Sequence, residues 1–194
     1  MQQTVDEYAQ ALYQVYFEAD QKQADRLNRW RSIEPESAQL LSVLISAKQA
    51  HNILEIGTSG GYSTLWLADA AKHIAGRVVT LEIDAARVET ALQHLKATNL
   101  ADVCTVCCID AAVFLRENQE AFDFILLDAE RPAYVNYWPD LKRCLRQAGS
   151  LMVVDNVISH ADQVQDFIEQ IQSDRQFKCT VLPVGAGLLL VVKT

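Results

Sequence analysis

Three side chains at the ends of two apolar runs have the chemistry of a metal site. Phe122-Asp123-Phe124-Ile125-Leu126-Leu127-Asp128 ends in an acid, and Leu151-Met152-Val153-Val154-Asp155-Asn156 ends in an acid and an amide. If the two runs are neighbouring strands, their ends stand about 4.8 Å apart, which lets Asp128, Asp155 and Asn156 converge on one ion. All-oxygen donors select a hard ion, Mg²⁺, Ca²⁺ or Mn²⁺, and leave positions open for substrate oxygens and water. Taken singly, each of the three is equally an ordinary strand-end turn residue. Asp123 precedes its run, on the opposite edge, and reads as a cap.

A second constellation lies earlier in the chain. The run 53–56 leads into Gly57-Thr58-Ser59-Gly60-Gly61-Tyr62-Ser63. Its glycines let the backbone turn tightly and approach a ligand, and the helix that follows offers free N–H groups to a carboxylate or phosphate. The spacing Gly-x-x-Gly-Gly departs from the dinucleotide fingerprint Gly-x-Gly-x-x-Gly. The next run ends Thr80-Leu81-Glu82-Ile83-Asp84, placing Glu82 where a carboxylate accepts hydrogen bonds from both hydroxyls of a ribose. NAD and S-adenosylmethionine both carry that ribose, and these two features leave the choice between them open. A plain tight connection and a solvated strand-end acid are the uneventful alternatives.

The elements that position these residues follow from hydrophobic spacing. Apolar runs at 53–56, 78–83, 103–109, 122–127 and 151–154 alternate with helix-period segments at 62–73, 85–98, 111–119, 133–146 and 161–173. Nearly continuous apolar strands separated by helices predict a parallel sheet covered on both faces. The segments 179–184 and 188–193, joined by Gly185-Ala186-Gly187, leave no room for a crossover and predict an antiparallel hairpin. Upstream, residues 3–31 lack Gly and Pro and carry Val5, Tyr8, Ala9, Leu12, Tyr13, Val15 and Tyr16 at helical spacing. This helix should break near Gln21–Gln23, with a second helix over 36–49. Together they form a cover over the sheet or an oligomer contact.

Composition narrows the classes. The chain has 194 residues, is 50% hydrophobic and 22% charged, and carries 25 acidic against 17 basic residues for a formal net charge of -8. That fits one domain, 1–194, with 1–50 as a helical N-terminal cover and 51–194 as the core, and it demotes nucleic acid as a partner. No apolar run approaches a bilayer-spanning length and the first residues lack a signal pattern, so a cytoplasmic location is expected. Five cysteines suit a reducing compartment. There is no internal repeat and no low-complexity segment.

From about residue 33 onward the sequence resembles the metal-dependent O-methyltransferases of the catechol and caffeoyl-coenzyme A type, which use S-adenosylmethionine. The carriers are Leu54-Glu55-Ile56-Gly57-Thr58-Ser59-Gly60-Gly61-Tyr62-Ser63, Leu81-Glu82-Ile83-Asp84, Asp128-Ala129-Glu130-Arg131 with Tyr134 downstream, and Val154-Asp155-Asn156-Val157. The resemblance implies an α/β, Rossmann-like class I methyltransferase fold, its seven-stranded sheet mostly parallel with an antiparallel last strand. It also implies roles. Glu82 holds the cofactor ribose; Gly57, Thr58 and Ser63 line its methionine part, with Glu55 closing the loop and Ile33 offering backbone atoms to the same group. Asp110 and Ala111 border the adenine. Asp128 touches the methionine amino group and joins Asp155 and Asn156 as a metal ligand, and His160 contacts the acceptor. A homodimer is the common assembly among relatives.

A hydroxyl attacks a sulfonium methyl well only as its oxyanion, so a divalent ion that binds two vicinal oxygens would acidify one and orient it. The expected reaction is therefore methylation of a catechol-like or vicinal-diol hydroxyl, with Mg²⁺ the first choice of ion. Asp128, His160 and Arg131 are the candidate catalytic positions. Arg131 is the departure: family members with a general base carry Lys there, and a guanidinium cannot accept a proton. The hydroxyl proton then goes to water or His160, or the acceptor is acidic enough by itself, or catalysis has been lost. Alternatives are a tRNA hydroxyuridine O-methyltransferase, a catalytically silent cofactor-binding protein and an NAD-linked oxidoreductase. The last would leave the Asp128, Asp155, Asn156 cluster idle.

Other conspicuous residues read structurally. Cys104, Cys107 and Cys108 suit a buried strand better than zinc, for lack of a second nearby pair. His51, His73 and His94 are expected at the surface. Tyr134, Tyr137 and Trp138 fit core packing or a pocket wall, and 162–174 fits a solvated helix face.

Overall fold

The computed structural model describes residues 3–194. The strands are β1 Asn52–Ile56, β2 Arg77–Glu82, β3 Cys104–Cys108, β4 Phe124–Leu127, β5 Leu151–Val154, β6 Phe177–Leu182 and β7 Leu188–Lys193. The helices are α1 Val5–Lys22, α2 Pro35–Lys48, α3 Tyr62–His73, α4 Ala85–Ala97, α5 Ala111–Glu117, α6 Tyr134–Cys144 and α7 Ala161–Ser173.

Local chemistry explains the helix limits. The Thr4 hydroxyl accepts the Glu7 N–H while the Glu7 carboxylate accepts the Thr4 N–H, a reciprocal cap that starts α1. Pro35 opens α2, where a missing N–H costs nothing, and Gln49 ends it in the left-handed region at φ 57°. Asp84 and Asp110 cap α4 and α5 by accepting two backbone N–H groups each. The predicted break in the N-terminal helix falls after Lys22, and the chain then runs irregularly through a 3₁₀ turn at Arg26–Asn28 to Pro35.

The sheet order is β3-β2-β1-β4-β5-β7-β6. Neighbours are parallel from β3 across to β5, whereas β7 runs antiparallel to both β5 and β6. The last strand is thus the antiparallel one, as expected. Ile53, Phe124, Leu126 and Val153 face α1, α2 and α3 through Ala9, Leu12, Leu41, Ile45 and Leu65. Leu54, Ile56, Ile125 and Leu127 face α5, α6 and α7 through Leu115, Trp138, Leu141, Phe167 and Ile171. Coverage of both faces is why β4 and β5 are apolar at every position.

One strand departs from its expected burial. β3 lies at the sheet edge, so Cys104 is buried but Cys107 only partly and Cys108 is exposed. An edge strand has a neighbour on one side alone, which leaves its far end in solvent.

Winding outward from β1 in both directions puts a topological switch between β1 and β4. A ligand crevice is expected beyond the C-terminal ends of these strands, where Gly57 and Asp128 follow.

Candidate active site

Register brings the two sequence constellations together. Ile56 pairs with Leu127, and Leu127 with Val154. The residues after them stay in step: the Asp128 N–H donates to the Ile56 carbonyl at 2.9 Å and the Asp155 N–H to the Leu127 carbonyl at 3.1 Å. Gly57 sits at φ 106°, and a Cβ there would lie 1.9 Å from the Asp128 carbonyl oxygen. Only glycine permits this approach. Gly60 is constrained from the other side, where a Cβ would stand 2.4 Å from the Tyr16 hydroxyl.

A cavity of about 710 Å³ opens above these strand ends. Ile33, Gly57, Thr58, Ser63, Glu82, Asp110, Ala111, Asp128, Arg131, Asp155, Asn156 and His160 all line it. Glu82 is held firmly: Oε2 accepts the Ser59 N–H at 2.8 Å, and Oε1 accepts from Ile83 N at 2.9 Å and Asp84 N at 3.0 Å. The control, Asp123, lies outside, where Oδ2 accepts the N–H groups of His51 and Asn52 and pins the start of β1. Tyr137 reaches the cavity wall, while Trp138 packs into the core against Phe167 and Phe177.

Among the described residues no group of three or more His, Cys, Asp or Glu forms a metal site. The candidate set is instead two carboxylates and an amide. Asp155 is 1% exposed, its Oδ2 accepts from Asn156 Nδ2, and its Oδ1 is buried with no hydrogen-bond partner. Burial, and after it the charge of Asp128, pushes the Asp155 carboxyl upward. Burial, and after it Glu55, does the same to Asp128, with Arg131 opposing. Two carboxylates crowded in this way, one with an orphaned oxygen, match the donor chemistry of a hard divalent ion. Asn156 adopts φ 67°, a conformation asparagine tolerates better than most residues.

Comparison with known proteins identifies the family. A family model described as O-methyltransferase matches residues 7–194. The chain belongs to the O-methyltransferase family. It is 38% identical over 131 residues to a catechol O-methyltransferase of Niastella koreensis, covering 66% of this chain and 58% of that protein. It is 37% identical over 130 residues to one of Mycobacterium tuberculosis, covering 66% and 57%. This chain therefore matches less than two thirds of the length of either relative. Among solved structures, the O-methyltransferase from Bacillus cereus in complex with SAH is 28% identical with a TM-score of 0.79, over 96% of this chain and 90% of that one. TomG from Streptomyces achromogenes, in complex with SAM, is 26% identical with a TM-score of 0.82, over 100% and 91%.

For this O-methyltransferase family member, one expected cofactor contact is displaced. Glu55 is fully buried beneath the glycine loop and does not line the cavity. It accepts hydrogen bonds from Ser63 Oγ at 2.5 Å, Thr64 Oγ1 at 2.6 Å and Thr80 Oγ1 at 2.6 Å. Because Thr80 spends its proton there, Thr58 must donate in the 2.5 Å contact between the two threonine hydroxyls. Strand alternation is the reason: Glu55 points toward α3, so its carboxylate ties the loop to the sheet from below. Burial pushes it up to about 7, against the lowering effect of the three hydroxyls.

Tyr134 has a sharper role than core packing. Its hydroxyl accepts the Ala129 N–H at 2.8 Å and donates to the Ala129 carbonyl at 2.9 Å, which fixes the turn after Asp128. His94 is not a surface residue. Half-buried, it bridges the Tyr8 hydroxyl at 2.8 Å and the Tyr16 hydroxyl at 3.0 Å, and Tyr16 donates to the Gly60 carbonyl.

The cavity roof has no counterpart in the sequence motifs. Segment 26–34 lines it, and Arg87 holds that segment through the carbonyls of Leu27 and Arg29 at 2.7 and 2.8 Å, with its guanidinium over the Trp30 ring. The Trp30 carbonyl accepts from Ser59 Oγ at 2.6 Å. At the opposite end Arg31 pairs with Glu130 at 2.6 Å. Asp20 accepts the N–H groups of Trp30 and Arg31 at 2.7 and 2.8 Å, so many of the anchors use the segment's backbone and leave no side-chain pattern to read.

Proposed function

We propose that this chain is an S-adenosylmethionine-dependent O-methyltransferase acting on a small acceptor with vicinal, catechol-like hydroxyls in the presence of a divalent ion, Mg²⁺ first. The observation that carries this reading is the register of β1, β4 and β5, which sets the Gly57 turn beside Asp128, Asp155 and Asn156 in one cavity. In the reaction the S–CH₃ bond breaks with its electron pair left on sulfur, an O–CH₃ bond forms, and the hydroxyl proton departs.

Glu82 is the ribose acceptor in this reading. Gly57, Thr58, Ser63 and Ile33 surround the methionine part, Asp110 and Ala111 the adenine, and Asp128 meets the ammonium group. A divalent ion, when held by Asp128, Asp155 and Asn156, supplies the positive charge that acidifies and orients neighbouring hydroxyls. His160 is the proton acceptor: burial first, then Arg131 and Arg26, lower its pKa, which favours the neutral imidazole. Its Nδ1 lies 2.9 Å from Ser159 Oγ, which orients the ring.

The test is methyl transfer from labelled S-adenosylmethionine to a panel of catechols, with and without chelator, in the wild type and Asp155→Ala. Chelator-insensitive transfer that survives the substitution overturns the metal-assisted reading.

The assembly proposed is a homodimer, supported by Val15 at 62%, Phe17 at 49% and Val43 at 61% exposure on α1 and α2. Sedimentation of a monomer at micromolar concentration overturns it. No helix among the described residues is long and apolar enough to cross a membrane. The cysteines are free, which supports the cytoplasm as the working compartment.

A further inference from the structure

Among the described residues Arg131 is a buried cation with no ion pair within 4.0 Å, Asp128 acting on it only from further away. It is 5% exposed, opens the 3₁₀ turn Arg131–Ala133 and lines the cavity beside Asp155, Asn156 and His160. A guanidinium carries five N–H donors. Nε donates to Gln163 Oε1 on α7 at 2.9 Å, and the Nη donors make no hydrogen bond among the described residues. No carboxylate oxygen among those residues lies within 4.0 Å of it either. The nearby acid Glu130 is engaged elsewhere, 2.6 Å from Arg31 and 3.9 Å from Arg26.

Unlike Asp155 Oδ1, the Nη atoms are not sealed from the cavity, so their hydrogen bonds are completed from that space, by water or by a ligand. Asp128 and Asp155 are the natural donors to a divalent ion, whose arrival adds positive charge at the same end of the cavity. The cofactor end is built around Glu82 and Asp110, whereas Arg131 sits among the residues following β4 and at the start of α7, where the acceptor belongs. The free edge of the guanidinium is planar and two-pronged, the shape that binds a carboxylate through parallel N–H···O bonds.

We propose that Arg131 is a specificity-determining residue that binds a carboxylate carried by the acceptor itself, so that the acceptor is an acidic vicinal diol of the dihydroxybenzoate class. The proposal rests on the O-methyltransferase reading above. The carboxylate is a spectator in the reaction, and the methyl group still moves from sulfur to a hydroxyl oxygen. A lysine at this position would offer a point charge without the two-pronged match, which separates the substitution from a conservative one.

The experiment compares 3,4-dihydroxybenzoate with its neutral methyl ester and with the cationic 3,4-dihydroxyphenethylamine, using S-adenosylmethionine and Mg²⁺. In the wild type kcat/KM for the carboxylate should exceed that for the ester by at least about tenfold, mainly through KM, with the amine poorest. Arg131→Gln should compress the carboxylate-to-ester ratio to about threefold or less, and Arg131→Lys should fall between. Equal wild-type rates for acid and ester, or a preference that survives in Arg131→Gln, overturns the proposal while leaving the methyltransferase reading intact. Absence of transfer to any of the three overturns both. Competition on the wild type keeps the proposal testable if the variants do not fold: benzoate should inhibit at least about tenfold more strongly than benzamide, and equal inhibition overturns it. A fall in SAH affinity in Arg131→Gln that exceeds the loss of carboxylate preference assigns the guanidinium to the methionine carboxylate and also overturns it.

Discussion

The backbone of Gly57 and the carbonyl of Asp128 are in such close contact that a β-carbon on the glycine would stand 1.9 Å from the aspartate oxygen. The glycine turn after β1 and the turn after β4 are thus packed backbone to backbone. Gly57→Ala must push the strands apart and also strain a residue at φ 106°. The expected cost is on the order of 3 kcal/mol of stability, with SAH affinity reduced at least about tenfold. Thermal unfolding and calorimetric titration with SAH check both.

Glu55 makes stability depend on pH. Burial raises its folded-state pKa from 4.5 to about 7, so the folded protein keeps a proton that the unfolded chain releases near 4.5. The contribution is complete below that pH, declines as pH rises toward 7 and is lost above it. The full change is on the order of 3 kcal/mol. Glu55→Gln cannot ionise, so relative to it the wild type should lose stability between pH 5 and 8. Urea unfolding at several pH values measures the gap. A gap that stays constant would mean that Ser63, Thr64 and Thr80 hold the carboxylate ionised throughout.

The sequence showed some of this site and hid the rest for physical reasons. Asp128, Asp155 and Asn156 were legible because parallel strands covered on both faces are apolar to their last residue, so the first polar side chain marks the rim. Glu55 misled because it is an acid within such a run. Ser63 and Thr64 at the start of α3 and Thr80 on β2 supply its partners, and their convergence is visible only once α3 and β2 are folded against β1. Apart from Ile33, segment 26–34 stayed unread because it has no periodicity and many of its anchors are backbone groups.

His160 should reveal itself in a pH profile. Its pKa is lowered by burial and by Arg131 and Arg26, so kcat/KM should fall on the acid side with an apparent pKa below 6.5. His160→Gln should remove that limb and slow the reaction by about 10². If the limb is unchanged in the variant, the proton goes to water.

Asp155→Ala separates ion binding from folding. The substitution relieves the repulsion with Asp128 and removes a buried orphaned oxygen. The metal-free variant should therefore be as stable as the wild type or more so, while Mn²⁺ affinity falls about 10²-fold. Paired melting curves and Mn²⁺ titrations followed by electron paramagnetic resonance distinguish this from general damage.

Arg87→Ala should loosen the roof. It loses the carbonyls of Leu27 and Arg29 and the Trp30 ring face. Trypsin should cleave after Arg26 or Arg29 several times faster, and SAH should protect the wild type better than the variant. Global stability should change by only about 1–2 kcal/mol.

The sheet order also bears on how the molecule is made. β1 finds β2, and β2 finds β3, through short local windings, but the other neighbour of β1, β4, is synthesised later, and β5 and the hairpin follow. Such distant pairings close slowly, because the intervening chain must surrender its freedom first. Gly57 belongs to the early half and Asp128 to the late one. The crevice is therefore a seam between the early and late parts of the chain, and a ligand spanning it needs both in place.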